Sequence, residues 1–194
     1  CVDIVAVIQG LNLFDILAAF FVAGFFVVGY IQGTLRRVLG LAIALLSLLL
    51  AMNLRDPLGS WLAQYWVQFP REYVYMLAFG GSFLVVYLGG SIAVQTFYRR
   101  TPLFSKATAV DEVLGGILGA LQALLLLGAL ILILDSYYKL PGMPVDPDEF
   151  GLLRDIFRFY DGSQIAELFR SSLIPLFFAL FGWITPDDLQ APYS

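Results

Sequence analysis

Apolar and polar positions along this chain fall in long blocks, not in the alternation of two that marks a half-buried strand. The run from Phe14 to Tyr30, FDILAAFFVAGFFVVGY, holds one charge, Asp15, in its first turn. A second block spans Val38 to Leu54, a third the uncharged residues Tyr73 to Tyr98, and a fourth Val113 to Leu134. Each meets the roughly 17–25 residues that a helix rising about 1.5 Å per residue needs to cross a bilayer core. The pattern predicts an all-α membrane protein with four transmembrane helices at 14–30, 38–54, 73–98 and 113–134. Residues 1–13 are an N-terminal extension.

After Leu134 the pattern changes. Residues 135–150, DSYYKLPGMPVDPDEF, hold three prolines and four carboxylates and predict a loop. Gly151 to Tyr160 mixes apolar pairs with Arg154, Asp155 and Arg158, which suits a short surface helix. The stretch 163–184, SQIAELFRSSLIPLFFALFGWI, has an uncharged part of 14 residues, Ser171 to Ile184, with Pro175 inside it. That length is short for a span and suits an amphipathic interfacial or re-entrant helix, with a fifth span as the competing reading. The last ten residues, TPDDLQAPYS, predict a frayed end.

Composition agrees with lipid as the solvent. The chain is 60% hydrophobic and 13% charged, against about 25% charged in soluble domains. One cysteine and no histidine exclude an internal disulfide, a thiolate zinc site and histidine-based catalysis. A net charge of −4 leaves no basic stripe for nucleic acid. Cys1 has two readings: a lipidated terminal cysteine, or a frame read from upstream, since no initiator methionine precedes it. The first span lacks a basic leader and is expected to stay as an anchor.

Charge also sets the orientation. Arg36 and Arg37 lie between spans 1 and 2 with no acid, and Arg99, Arg100 and Lys106 lie between spans 3 and 4. Between spans 2 and 3, Arg55 and Arg71 are balanced by Asp56 and Glu72. The positive-inside rule then puts the 1–2 and 3–4 connections in the cytoplasm. Both termini, and the tail 135–194, face outward. The inverted orientation stays open, because the difference is modest.

Small residues recur at helical spacing. Gly29 and Gly33 are four apart, as are Gly115, Gly119 and Ala123, with Gly116 and Ala120 alongside. Gly40, Ala44, Ser47 and Ala51 share a face of span 2, and Ala78, Ser82, Gly89 and Ala93 a face of span 3. In lipid such stripes let backbones approach closely, which predicts tight bundle packing within one chain or between chains. Thr108-x-x-Asp111 has the form of a capping box. A second reading pairs Asp111 with Arg36 across spans 4 and 1. Asp15 reads as a partner of its own helix dipole, and Gln122 as an interhelical hydrogen-bonding group.

The stretches Asn12-Leu-Phe-Asp15, Gly29-Tyr-Ile-Gln-Gly33 and Arg36, then Asp111-Glu-Val-Leu-Gly115-Gly-Ile-Leu-Gly119-Ala-Leu-Gln122, and later Ser172-Leu-Ile-Pro175, form one ordered pattern. It resembles the colicin V production protein (CvpA) family of bacterial inner-membrane proteins, from about Asn12 to about Ile184. Glu112 and Gln122 stand where the family commonly has arginine, which lowers the positive charge on the cytoplasmic half. The family usually starts a few residues before the position of Asp15, so Cys1 to Gly10 reads as upstream sequence. The resemblance implies a multipass inner (cytoplasmic) membrane protein linked to colicin V production or export, a toxin-biosynthesis role, and to envelope homeostasis. It implies no catalytic step.

The functional candidates are Asp15, Gly29, Gly33, Arg36, Asp111, Gly115, Gly119 and Pro175. No catalytic, cofactor or metal site is expected; GxSxG, HExxH and phosphate-loop motifs are missing. The first functional reading is an accessory bundle whose partners are the lipid bilayer and other membrane or envelope proteins, with homo-oligomers open and nucleic acid excluded. The alternative is a small oligomeric transporter or channel. Gly80-Gly81-Ser82 and Gly89-Gly90-Ser91 then mark span 3 as a broken or pore-facing helix.

Overall fold

The structure, a computed structural model, describes residues 12–97, 108–140, 149–190 and 193. Most of the predicted extension, together with Arg99, Arg100 and Lys106, lies outside the described residues. Those residues form seven helices and no strand: α1 Leu13–Gln32, α2 Thr34–Leu62, α3 Arg71–Phe97, α4 Thr108–Tyr138, α5 Gly151–Asp161, α6 Gln164–Phe181 and α7 Asp187–Gln190. Five of them, α1 to α4 and α6, are long and apolar enough to cross a membrane, one more than the four predicted.

The order of the long helices follows from where glycine permits close approach. α1 packs along α4, and α2 packs between α3 and α4. Buried Leu48, Ala51 and Met52 of α2, Met76 and Phe79 of α3, and Ile131 and Leu132 of α4 form the common core. Large apolar side chains such as Phe20, Val27, Val85 and Ile92 point outward. Large apolar side chains on both the inside and the outside suit a bundle whose surroundings are as apolar as its core.

Several boundaries differ from the predicted ones. α2 starts at Thr34, so Arg36 and Arg37 sit in its first turn and not in a loop. The break is one residue, Gly33, whose φ of 80° is a conformation that L side chains rarely adopt. α4 runs on to Tyr138, taking the first part of the predicted loop into helix. α3 is continuous over Arg71–Phe97, so its paired glycines do not break it. Its predicted small-residue face also divides: Ala78 and Ser82 are buried, while Gly89 and Ala93 are exposed. The neighbour Gly90 is the residue facing α2, where an added Cβ would lie 2.7 Å from Ile43. Turning Gly90 inward turns Gly89 outward.

The tail is packed, contrary to the frayed end expected. Leu189 is buried, the Gln190 amide donates to the carbonyls of Gly182 and Thr185, and Asp188 pairs with Arg55. α6 is capped by Ser163, whose hydroxyl accepts from the Ala166 N–H at 3.0 Å. Its middle, Phe169–Leu173, is a π-turn directly ahead of Pro175. Proline has no N–H to donate and its ring crowds the preceding turn, which the wider π-turn relieves. The N-terminal end of α6 is tied to Asp15 of α1, through the Ile165 N–H at 2.9 Å. Beyond its C-terminal end, the Ile184 carbonyl accepts from Asn53 of α2 at 3.1 Å. Asp15 and Asn53 both lie far from Gly33, by about 27 Å and about 30 Å at 1.5 Å per helical residue.

Candidate functional site

The sequence candidates converge on the junction where α1, α2 and α4 meet. Gly29 and Gly115 face each other backbone to backbone: a Cβ on Gly29 would strike the Gly115 carbonyl, and one on Gly115 would lie 2.5 Å from the Gly29 carbonyl oxygen. A Cβ on Gly119 would strike the Phe25 carbonyl. Nothing on either side is a flexible side-chain end, so glycine is the residue that this crossing admits.

Asp111 has a use that neither sequence reading named. It is 7% exposed. Its Oδ1 accepts from the Thr34 backbone N–H at 3.3 Å, and its carbonyl accepts from the Thr34 hydroxyl at 2.8 Å. The first turn of α2 contains no acid and two arginines, the wrong sign for the positive end of a helix. Asp111 supplies the missing carboxylate from α4. Gly33 must lack a side chain here, since a Cβ would lie 2.6 Å from Asp111 Oδ2. The pairing of Asp111 with Arg36 is not observed: Arg36 is half-buried and makes no ion pair among the described residues. The Thr108 side chain lies outside the described residues.

The neighbour Arg37 is the buried arginine, at 7% exposure. Its Nη1 donates to Gln122 Oε1 at 2.9 Å, and its guanidinium lies over the Phe25 ring at 5.4 Å. Gln122 Nε2 donates in turn to the Tyr87 hydroxyl at 3.2 Å. Gln122 thus joins α2, α3 and α4, in the interhelical role read for it. Arg37 was missed: it lies three residues before Gly40 and Arg36 lies four, so the stripe Gly40, Ala44, Ser47, Ala51 admits either, and only burial separates them.

Asp15 sits at the opposite end of α1, 2% exposed. Its Oδ2 accepts from the Asn12 N–H at 2.8 Å, completing the α1 cap, while Oδ1 holds the start of α6. Pro175 is half-buried behind the π-turn and is not brought near the glycine junction.

A second polar centre lies beyond the end of the fourth predicted span, around Asp135. This carboxylate, 5% exposed, accepts from Arg170 Nε at 2.7 Å and Nη2 at 2.8 Å, from the Tyr160 hydroxyl at 2.9 Å and from the Tyr193 hydroxyl at 3.1 Å. Burial, then the Asp135 charge and hydrogen bond, push the Tyr160 and Tyr193 phenols well above their ordinary range, so both remain donors. Arg170 also meets Asp161 at 2.9 Å, and Lys139 pairs with Asp161 at 2.8 Å. Burial alone would raise the Asp161 carboxyl, but Lys139 and Arg170 hold it below its ordinary value. None of these residues was a sequence candidate except as loop or tail.

The junction yields a prediction. Asp111→Ala removes a carboxylate cap and is expected to cost about 1–2 kcal/mol of stability in detergent. Reversing both charges, Arg36→Glu with Asp111→Arg, is expected to be no better than Asp111→Arg alone. Rescue by the double reversal in a thermal melt would contradict the capping role.

Among the described residues no group of three potential metal ligands occurs. Searches of curated proteins and of solved structures gave no match. The family described as colicin V production protein matches residues 14–174, which takes in α1 to α5 and the Pro-flanking part of α6 up to Ile174. That span covers seven of the eight sequence candidates, leaving only Pro175 just outside. With its apolar helices and this match over most of its length, the chain is an integral membrane protein and belongs to the colicin V production protein family.

Proposed function

We propose that this protein is a multipass inner-membrane accessory protein that serves colicin V production and envelope homeostasis by packing against other membrane or envelope proteins, without a chemical step of its own. The outward face of α3 carries this reading. Gly81, Val85, Gly89 and Ala93 recur every four residues and are all exposed. A methyl group on Gly81 or Gly89 would meet no atom within 4 Å. Inside the chain, stripes of this kind are filled by a neighbouring helix; this one is left for a partner helix.

The topology in this proposal has α1 to α4 crossing the membrane, the Gly33 end in the cytoplasm and both termini in the periplasm. The arginines of the first turn of α2 support that orientation. α6 is then the interfacial helix, because its start is held by Asp15 and the segment just beyond its end by Asn53, both at the same end of the bundle.

The test separates folding from function. A strain lacking the gene is complemented with wild type or with the Gly81→Leu/Gly89→Leu double variant, and colicin V release and detergent sensitivity are read. The variant is expected to accumulate normally and melt within about 0.5 kcal/mol of wild type, yet to fail in complementation and lose its crosslinks to neighbouring membrane proteins. Full complementation with unchanged crosslinks would overturn the reading. Steady solute flux through liposomes holding the pure chain would replace it with a small oligomeric transporter or channel.

A further inference from the structure

A cavity of about 320 Å³ opens beside the glycine junction, between α1, α2, α3 and α4, and Arg36, Arg37, Gln32, Tyr87, Gln95 and Gln122 are among the residues lining it. Among the described residues that line it, none is Asp or Glu. We propose that this cavity binds a phosphate oxyanion. The inference goes beyond the proposed function and does not rest on it.

The argument starts from Arg37. Its side chain is more than nine-tenths buried, and its Nε has no hydrogen-bond partner among the described residues. Gln122 takes one of its donors and the Phe25 face lies beneath it. These are partial charges against a full one. A buried guanidinium with neither an acid nor a complete set of acceptors is costly, and intramembrane arginines ordinarily pair. Asp111, the buried acid of the junction, is already engaged by Thr34.

The other lining groups point to the same ligand. Tyr87 accepts from Gln122, which leaves its own proton to donate. Arg36 forms no ion pair among the described residues and lines the same cavity. The Gln32 and Gln95 amides add N–H donors. Water filling the cavity would leave the two positive charges unbalanced, and the space exceeds the roughly 30 Å³ that one water occupies. Donors arriving from several helices suit a tetrahedral oxyanion better than a planar carboxylate, and arginine forks match phosphate oxygens. The site lies at the Gly33 end of the bundle. There an anionic phospholipid headgroup can enter from the bilayer, or a free phosphate from the aqueous side.

The test uses the full chain in dodecyl maltoside. Dioleoylphosphatidylglycerol is compared with dioleoylglycerol, which lacks the phosphate, and sodium phosphate with sodium chloride at equal ionic strength. Retention in native mass spectrometry and the melting temperature are read. Saturable binding of the phospholipid that inorganic phosphate does not displace identifies a headgroup site; binding of inorganic phosphate identifies a free-anion site. In either case Arg37→Gln and Arg36→Gln are each expected to weaken binding about tenfold, and Tyr87→Phe about fivefold. Arg36→Gln breaks no ion pair among the described residues, so the test survives if Arg37→Gln fails to fold. No binding above the controls, or binding unchanged in Arg36→Gln and Tyr87→Phe, would overturn the proposal.

Discussion

Gly29→Leu is expected to dismantle the α1–α4 crossing, while Gly24→Leu, five residues earlier in the same helix, is expected to leave it intact. The two positions differ in what a side chain would meet. At Gly24 there is no atom within 4 Å; at Gly29 an added Cβ runs into the Gly115 carbonyl and lies 3.2 Å from the Gly116 Cα. A clash with a flexible side chain relaxes by a rotamer change, at about 1–3 kcal/mol. A clash with two backbones relaxes only by moving one helix off the other. That motion also pulls Gly33 away from Asp111 and unmakes the cap on α2. The expected loss is therefore at the upper end of that range, about 3 kcal/mol or more, with Gly119→Leu behaving alike. Melting in detergent decides it. If Gly29→Leu and Gly24→Leu unfold at the same temperature, the glycines do not hold this crossing.

This pair also shows what the amino-acid pattern could and could not reveal. Spacing of four was enough to select Gly29, Gly33, Gly115 and Gly119, because a stripe of small residues in lipid has few other uses. It could not distinguish Gly29 from Gly24 by hydropathy, since both lie in the same apolar run. Charge misled in a specific way. Arg36 and Arg37 were read as a loop because charged residues ordinarily end a span, yet the helix continues through them, and the break is the one residue with positive φ. Burial, and not spacing, separates the two arginines: Arg37 is buried and Arg36 is not. The division of the α3 stripe was illegible for a different reason. Which part of a helix meets its neighbours depends on tilt, and tilt is set by packing and not by length.

The Asp135 centre was the least legible, because its partners lie 25, 35 and 58 residues away in segments that read as surface helix, interfacial helix and frayed end. Its energetics give the second large effect. Arg170→Met is expected to destabilise the protein by about 3–5 kcal/mol, since it leaves a buried carboxylate with only phenol hydroxyls for company. Asp135→Asn is expected to cost less, because Arg170 keeps its ion pair with Asp161. The double variant removes both buried charges and is expected to recover part of the loss, for a coupling energy of about 2 kcal/mol. Tyr160→Phe and Tyr193→Phe each remove one neutral donor and are expected to cost about 1 kcal/mol. A melt of all five variants in one detergent gives the cycle. Simple additivity of Arg170→Met and Asp135→Asn would mean that the two groups are not acting as a pair. Strong coupling would place the anchor of α5, α6 and the C-terminal Tyr193 on a single carboxylate at the end of α4. Loss of that anchor would then loosen the tail at the end of α4, while Asp15 and Asn53 still hold α6 to α1 and α2 and the glycine junction at the far end stays closed.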